Sequence, residues 1–181
     1  MATPSSFDAL REQLTSDSRE AFSAALAKIG AETVYGFAIY TDDSAVGFDV
    51  ALNSTQSLDL ANSRPRSVPF ENRWYTISWA YEGGYAAHLD SSSSIAENLA
   101  PANNDAYDSF RANVFQCMID ALAALKRDGF FQSLTDADQL ILQVAVTDSE
   151  DDDELMDNSI RKLNSDSICK LYEAERADAG Y

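Results

Sequence analysis

Between Tyr107 and Asp128 the chain sets Phe110, Val114, Cys117, Met118, Ala121, Leu122 and Leu125 on a three-to-four residue spacing. That spacing lines every apolar side chain along one face of a helix. Lys126 and Arg127 stand where the helix dipole is negative, and Gly129 supplies the conformation that ends the last turn. A long amphipathic helix over about 105–128 has one dry face, and the rest of the chain must provide the surface that covers it.

Strands are available for that purpose. Thr33–Thr41 (TVYGFAIYT) is rich in β-branched and aromatic residues, and a turn at Asp42-Asp43-Ser44 leads into Val46–Leu52 (VGFDVAL), so the two read as a hairpin. Gln139–Thr147 (QLILQVAVT) is nearly continuous in apolar residues and reads as an interior strand. Helical spacing recurs at Phe7, Leu10 and Leu14. A second helix is expected from Asp17, because Asp17 and Glu20 have the shape of a capping box; Phe22, Ala25, Leu26 and Ile29 form its stripe and Gly30 its end. Asn53 or Ser54 caps a short helix through Leu58 and Leu60. The prolines exclude regular structure from Arg64-Pro-Arg-Ser-Val-Pro69. Ser91–Ser94 read as a loop feeding a helix at Ile95–Leu99, and one or two last helices carry Ile160, Leu163, Ile168 and Leu171. Trp74–Tyr81 (WYTISWAY) fits either a third strand or a short helix. With 181 residues, no internal repeat and no linker, the expectation is a single α+β domain, a mainly antiparallel sheet packed by several helices.

Charge excludes more than it proves. Thirty acidic against thirteen basic residues leave a net −17, and ten of the acids lie between Asp128 and Ile160 with no Lys or Arg among them. Such a surface repels nucleic acid and anionic membrane and attracts basic proteins or cations. The densest part, Asp148, Glu150, Asp151, Asp152, Asp153 and Glu154, is read as a solvated loop after a strand or as a docking surface for a basic partner. It is not a calcium loop of the EF-hand type: counted from Asp148, the sixth residue is Asp153 where glycine is needed, and the twelfth is Ser159 where glutamate is needed. One histidine and two distant cysteines, of which Cys117 reads as a buried thiol, leave no metal site to expect. No cofactor is expected either, since there is no phosphate loop and Gly83-Gly84 lacks the rest of a dinucleotide fingerprint. The N-terminal residues have no signal-peptide pattern and no apolar run spans a bilayer, so a cytoplasmic protein is expected. The oligomeric state is left open.

The aromatic patch is the other candidate site. Trp74, Tyr75, Trp79 and Tyr81 lie close to Arg64, Arg66, Arg73 and Glu82, the arginines forming a basic island suited to an anion. As a strand the segment would put Tyr75, Ile77, Trp79 and Tyr81 on one face and Trp74 on the other; as a helix it would bring Tyr75 near Trp79. Both tryptophans read first as core residues, and second as pocket walls or a partner-binding surface. His88, after Glu82-Gly-Gly-Tyr85, is the one histidine any triad would need, yet no nucleophile motif accompanies it. Asp148, Ser149, Ser159, Arg161 and Asn164 form a further polar group around the end of the apolar strand.

Taken in order, these segments resemble a known family. The aromatic strand ends in Tyr40-Thr-Asp-Asp43; Arg73-Trp74 and Trp79-Ala-Tyr-Glu82 follow. A long helix then closes on Asp128-Gly-Phe-Phe131, and Val146-Thr-Asp-Ser149 and Ser159-Ile-Arg-Lys-Leu-Asn164 complete the series. The order resembles the largely bacterial domain-of-unknown-function family numbered 4303, from about Phe7 to Tyr172. One departure is the absence of a Trp before Val146. The family brings no established activity; relatives encoded near toxin and immunity genes imply an inhibitor-like or accessory binding role. Two functions are therefore expected in order. The first is a non-catalytic, immunity-type protein docking a basic partner through acidic residues. The alternative is a small-ligand binder or enzyme using the Trp74–His88 region.

Overall fold

The computed structural model describes residues 6–136, 138–147 and 152–181. The hairpin forms as its sequence requires. β1 (Val34–Thr41) and β2 (Phe48–Ser54) pair antiparallel, Thr41 opposite Phe48, with an irregularity between Val34 and Gly36. The Asp42 carboxylate accepts the Ser44 N–H at 3.0 Å and tightens the turn between them. On the other side of β1, β4 (Ile141–Val146) runs parallel, and the two-residue β3 (Tyr81–Glu82) pairs antiparallel with β2. The sheet order is β3-β2-β1-β4, so the domain is α+β with a mostly antiparallel sheet.

β4 is thus an edge strand, against the expectation of an interior one, although all six of its residues are buried. Side chains of α6 (Asp152–Leu163) and the residue after it replace a neighbouring strand. Leu142 N–H donates to Asn164 Oδ1 at 2.7 Å, Asn164 Nδ2 donates back to Leu142 O at 2.7 Å, and Val144 N–H donates to Ser159 Oγ at 3.1 Å. A buried backbone group must find a partner, and here amide and hydroxyl side chains supply it.

Alternation in the strands sends Phe37, Ile39, Val50, Leu52, Leu142 and Val144 to one face, where α1 (Ser6–Ile29) and α5 (Tyr107–Arg127) cover them. Phe37 meets Phe22 of α1 edge-on at 5.5 Å and Phe131 at 4.9 Å. The dry stripe of α5 is buried as its spacing requires, and Gly129, at φ 79°, turns the chain away from it. A second, smaller core lies around Ile141 and Tyr35, where α3 (Pro69–Trp74), α6 and α7 (Asp166–Ala179) bring in Phe70, Trp74, Ile160, Ile168 and Tyr172.

Three local expectations are corrected. α1 is a single helix of 24 residues, with no break at Asp17. The Asp17 side chain is buried and accepts from Ser92 N–H at 3.1 Å, Ser92 Oγ at 2.7 Å and Gln13 Nε2 at 2.7 Å. It therefore caps α4 (Asp90–Leu99), a helix whose own N-cap residue, Leu89, provides no side-chain cap. With that cap in place Ser91–Ser94 are helical, contrary to the loop expected of four serines. Asp17→Ala is expected to lower the unfolding free energy by about 2 kcal/mol through loss of the cap and of a buried acceptor. A urea midpoint indistinguishable from wild type would refute this role. Third, Trp74–Tyr81 is neither strand nor helix throughout: Trp74 ends α3, Thr76–Ser78 make a 3-10 turn, and Tyr81 enters β3. The short helix α2 (Thr55–Asn62) is capped as expected, Ser54 Oγ accepting from Ser57 N–H at 3.1 Å. Among the described residues no helix is long and apolar enough to cross a membrane.

Candidate functional site

Of the aromatic and arginine residues singled out in the sequence, Arg73 and Trp74 converge, and the chain's own last helix, α7, occupies the place where they meet. Trp74 is fully buried, its Nε1 donating to Glu175 Oε2 of α7 at 2.8 Å; Arg73 Nε reaches the same oxygen at 3.1 Å. Tyr172 packs edge-on against the Trp74 ring at 4.9 Å and its hydroxyl donates to Asp157. Burial, then Asp157, pushes the Tyr172 phenol far above its ordinary value. Tyr181 stacks on Phe70 at 5.0 Å and donates to Glu71 Oε1 at 2.6 Å. The patch is a seam that fastens α7 to α3.

Trp79 serves the sheet directly. Its Nε1 donates to Arg73 O at 3.0 Å and its ring lies over Gly36, next to Ala38 and Ala51. Tyr81 and Glu82 sit on β3, where the Tyr81 hydroxyl meets Glu32, a carboxylate that also accepts from Ser54 Oγ. His88 is exposed at the end of a 3-10 turn, Ala86–His88, and Arg64 and Arg66 are exposed on the turn before α3. Neither the histidine nor these two arginines joins the Trp74 seam among the described contacts.

Within the acidic run, Asp148, Glu150 and Asp151 lie outside the described residues. Asp152 opens α6, so the end of the run is a helix start. Asp153 is engaged, accepting from the Tyr75 hydroxyl at 3.2 Å and facing Arg176 at 3.7 Å. Glu154 is exposed, on the wall of a groove of about 810 Å³ between α5 and α6 that includes Phe115, Ile119, Leu155 and Arg161. In the further polar group, Ser159 and Asn164 bond the β4 edge and Arg161 pairs with Glu173 at 2.5 Å; Asp148 and Ser149 are not described.

A depression missed from the sequence lies at the carboxyl ends of the two parallel strands. It encloses about 430 Å³ and is lined by Tyr40, Asp42, Asp49, Asp90, Ser93 and Thr147, among others. Thr147 N–H donates to Thr41 O at 2.9 Å, which brings the Tyr-Thr-Asp-Asp and Val-Thr motifs together. That both motifs end a strand in acidic or hydroxyl residues was the available signal; that the strands are neighbours was not visible. Ligands commonly bind at such strand ends. The Asp49 carboxylate accepts from Gly84 N–H at 3.0 Å and Tyr85 N–H at 3.1 Å. Gly83 and Gly84, at φ 75° and 86°, shape this loop, and a Cβ at Gly83 would come within 2.9 Å of the Tyr40 hydroxyl.

Glu82 is exposed, yet partial desolvation and then the nearby Asp49 carboxylate raise its carboxyl above the ordinary 4.5, so folding slightly favours its protonated form. Stability from this group is lost as pH rises from 4.5 through the raised value. Glu82→Gln is expected to raise the urea midpoint at neutral pH and to lose that advantage below 4.5; an advantage independent of pH would count against this account. Burial also pushes the Cys117 thiol up to about 11, and its Sγ donates to Phe7 O at 3.4 Å. At pH 8 its thiolate fraction is then about one in a thousand, so iodoacetamide should modify the native chain at Cys169 only, as read by mass spectrometry.

A single α+β domain, with its aromatic patch turned inward and a polar depression at its strand ends, is the class these observations define. A family model matches residues 14–165, and the chain belongs to that family, described as Domain of unknown function (DUF4303). No curated protein and no solved structure matches the chain.

Proposed function

We propose that this chain is a non-catalytic bacterial protein of the cytoplasm that docks a basic protein partner through its acidic surface, as an immunity-type inhibitor or accessory protein does. The observation that carries the reading is the use made of the rival surface. Trp74 Nε1 and Arg73 Nε end on Glu175 of the same chain, so the polar groups at the centre of the aromatic patch are already satisfied. Glu154, by contrast, is exposed on a groove with Phe115 and Ile119 in its wall, at the end of the acidic run. A net charge of −17 speeds association with a cationic protein and makes the complex sensitive to salt.

The test is capture of partners from the source cell, including neighbouring gene products, washed at low and then high salt. It is repeated with Glu150→Gln, Asp151→Asn and Glu154→Gln combined, a variant that spares Asp153 and its contacts. A stoichiometric basic partner that salt releases, and that the variant binds about tenfold more weakly, is the expected result. A partner bound equally by the variant, with the same salt response, would dismiss the acidic-surface reading. Recovery of the chain alone would favour a second reading, a small-ligand site. The strand-end depression supports that reading, since its carboxylates and hydroxyls suit a cationic or polyhydroxylated molecule.

A further inference from the structure

The turn between α2 and α3 presents two arginines on a strongly acidic chain. Arg64 and Arg66 are exposed, and among the described residues neither guanidinium has a hydrogen bond or an ion pair. Arg66 adopts φ 64°, a left-handed conformation that costs a side-chain-bearing residue energy. The turn is braced from both ends. Ser67 Oγ donates to Asn62 O at 2.9 Å, Asn72 Nδ2 donates to Asn62 Oδ1 at 2.9 Å, and Ser67 N–H donates to Arg64 O at 3.2 Å. Two apolar side chains flank it in sequence, Leu60 at 61% exposure and Val68 at 37%.

We infer that the Arg64-Pro65-Arg66 turn, with Leu60 and Val68, is a docking point for an acidic, leucine-bearing segment of a protein partner. Charge complementarity selects carboxylates, because guanidinium groups pair with them in a fixed geometry. The rest of the chain selects a short segment, because screening confines repulsion from the net −17 to about 8 Å at physiological salt. A short segment seated on the turn puts fewer charges within that range of the chain's carboxylates than a long polyanion does. Leu60 and Val68 offer apolar contact that a polyanion cannot use. This proposal does not rest on the acidic surface or on the partner proposed for it.

The test titrates the isotope-labelled full chain with a short peptide of repeated Glu-Glu-Leu, followed by NMR. Controls are a Glu-Glu-Ser peptide and an oligothymidylate of equal charge. Amide shifts over 60–68 are expected, with binding about tenfold weaker for the Ser peptide and for Arg64→Ser with Arg66→Ser combined. Arg66→Gly keeps the test independent of folding. Glycine relaxes the left-handed backbone, so the melting temperature should hold or rise while peptide binding weakens. Binding unchanged in these variants, shifts that map away from the turn, or equal binding of the oligonucleotide would overturn the inference.

Discussion

Asn164→Ala is expected to destabilise the fold by about 3 kcal/mol, more than a surface-proximal polar residue ordinarily commands. The side chain closes the outer edge of β4, accepting from Leu142 N–H and donating to Leu142 O, both at 2.7 Å, and donating also to Ile160 O at 2.9 Å. Leu142 is fully buried, so alanine leaves a donor and an acceptor without water to replace the amide, at about 1–3 kcal/mol each before relaxation. Asn164→Asp distinguishes this explanation from loss of packing. It preserves shape and the acceptor for Leu142 N–H but turns the donating edge into an oxygen facing two carbonyls, so it should be at least as damaging as alanine above the carboxyl's titration range. Urea midpoints of both variants at neutral pH decide the matter. An aspartate variant close to wild type would sink the edge-capping account.

Trp79→Ala is expected to cost about 4 kcal/mol, the range for removing a large buried aromatic. Its indole lies on Gly36, where a Cβ would meet the ring carbon Cη2 at 2.9 Å, closer than packed carbons approach. Gly36→Ala should therefore cost about 1–3 kcal/mol by overpacking alone. The two changes are coupled through one contact. In a Trp79→Leu background the methyl group of Gly36→Ala meets a smaller neighbour, and its cost should shrink by about 1 kcal/mol or more. Strict additivity in the double-mutant cycle would show that Gly36 is constrained by its backbone rather than by the indole.

The elements legible in the sequence were those whose signal is local. The stripe from Phe110 to Leu125 and the stops at Gly30 and Gly129 depend on the spacing and conformation of a few neighbours, and the structure bears them out. The family that the order of motifs resembled is the one whose model matches the chain. What escaped depends on distant partners. Asp17 and Glu20 have the spacing of a capping box, but the Asp17 carboxylate caps a helix 75 residues away. Ser91–Ser94 disfavour a helix by intrinsic propensity, and that tertiary cap overrides it. Gln139–Thr147 looks like an interior strand because it is dry, yet its dryness comes from α6 rather than from a second strand. The aromatic patch read as one cluster in the sequence, but the structure divides it: Trp74 joins the α3–α7 core, Trp79 lies on the sheet beside Ala38 and Ala51, and Tyr81 packs against the main core. That Glu175 and Tyr172 meet Trp74 could not be read from a composition of tryptophans and arginines.

The stretch shared with the family ends at residue 165, just before α7 begins at Asp166. The matched stretch and the folded unit are therefore different lengths. Ile168, Tyr172 and Glu175 lie beyond the matched stretch, and they close over Phe70 and Trp74. Cutting the chain at residue 165 would keep the whole matched stretch and leave an indole and a phenyl ring facing water. A boundary drawn by resemblance would here run through the middle of a core.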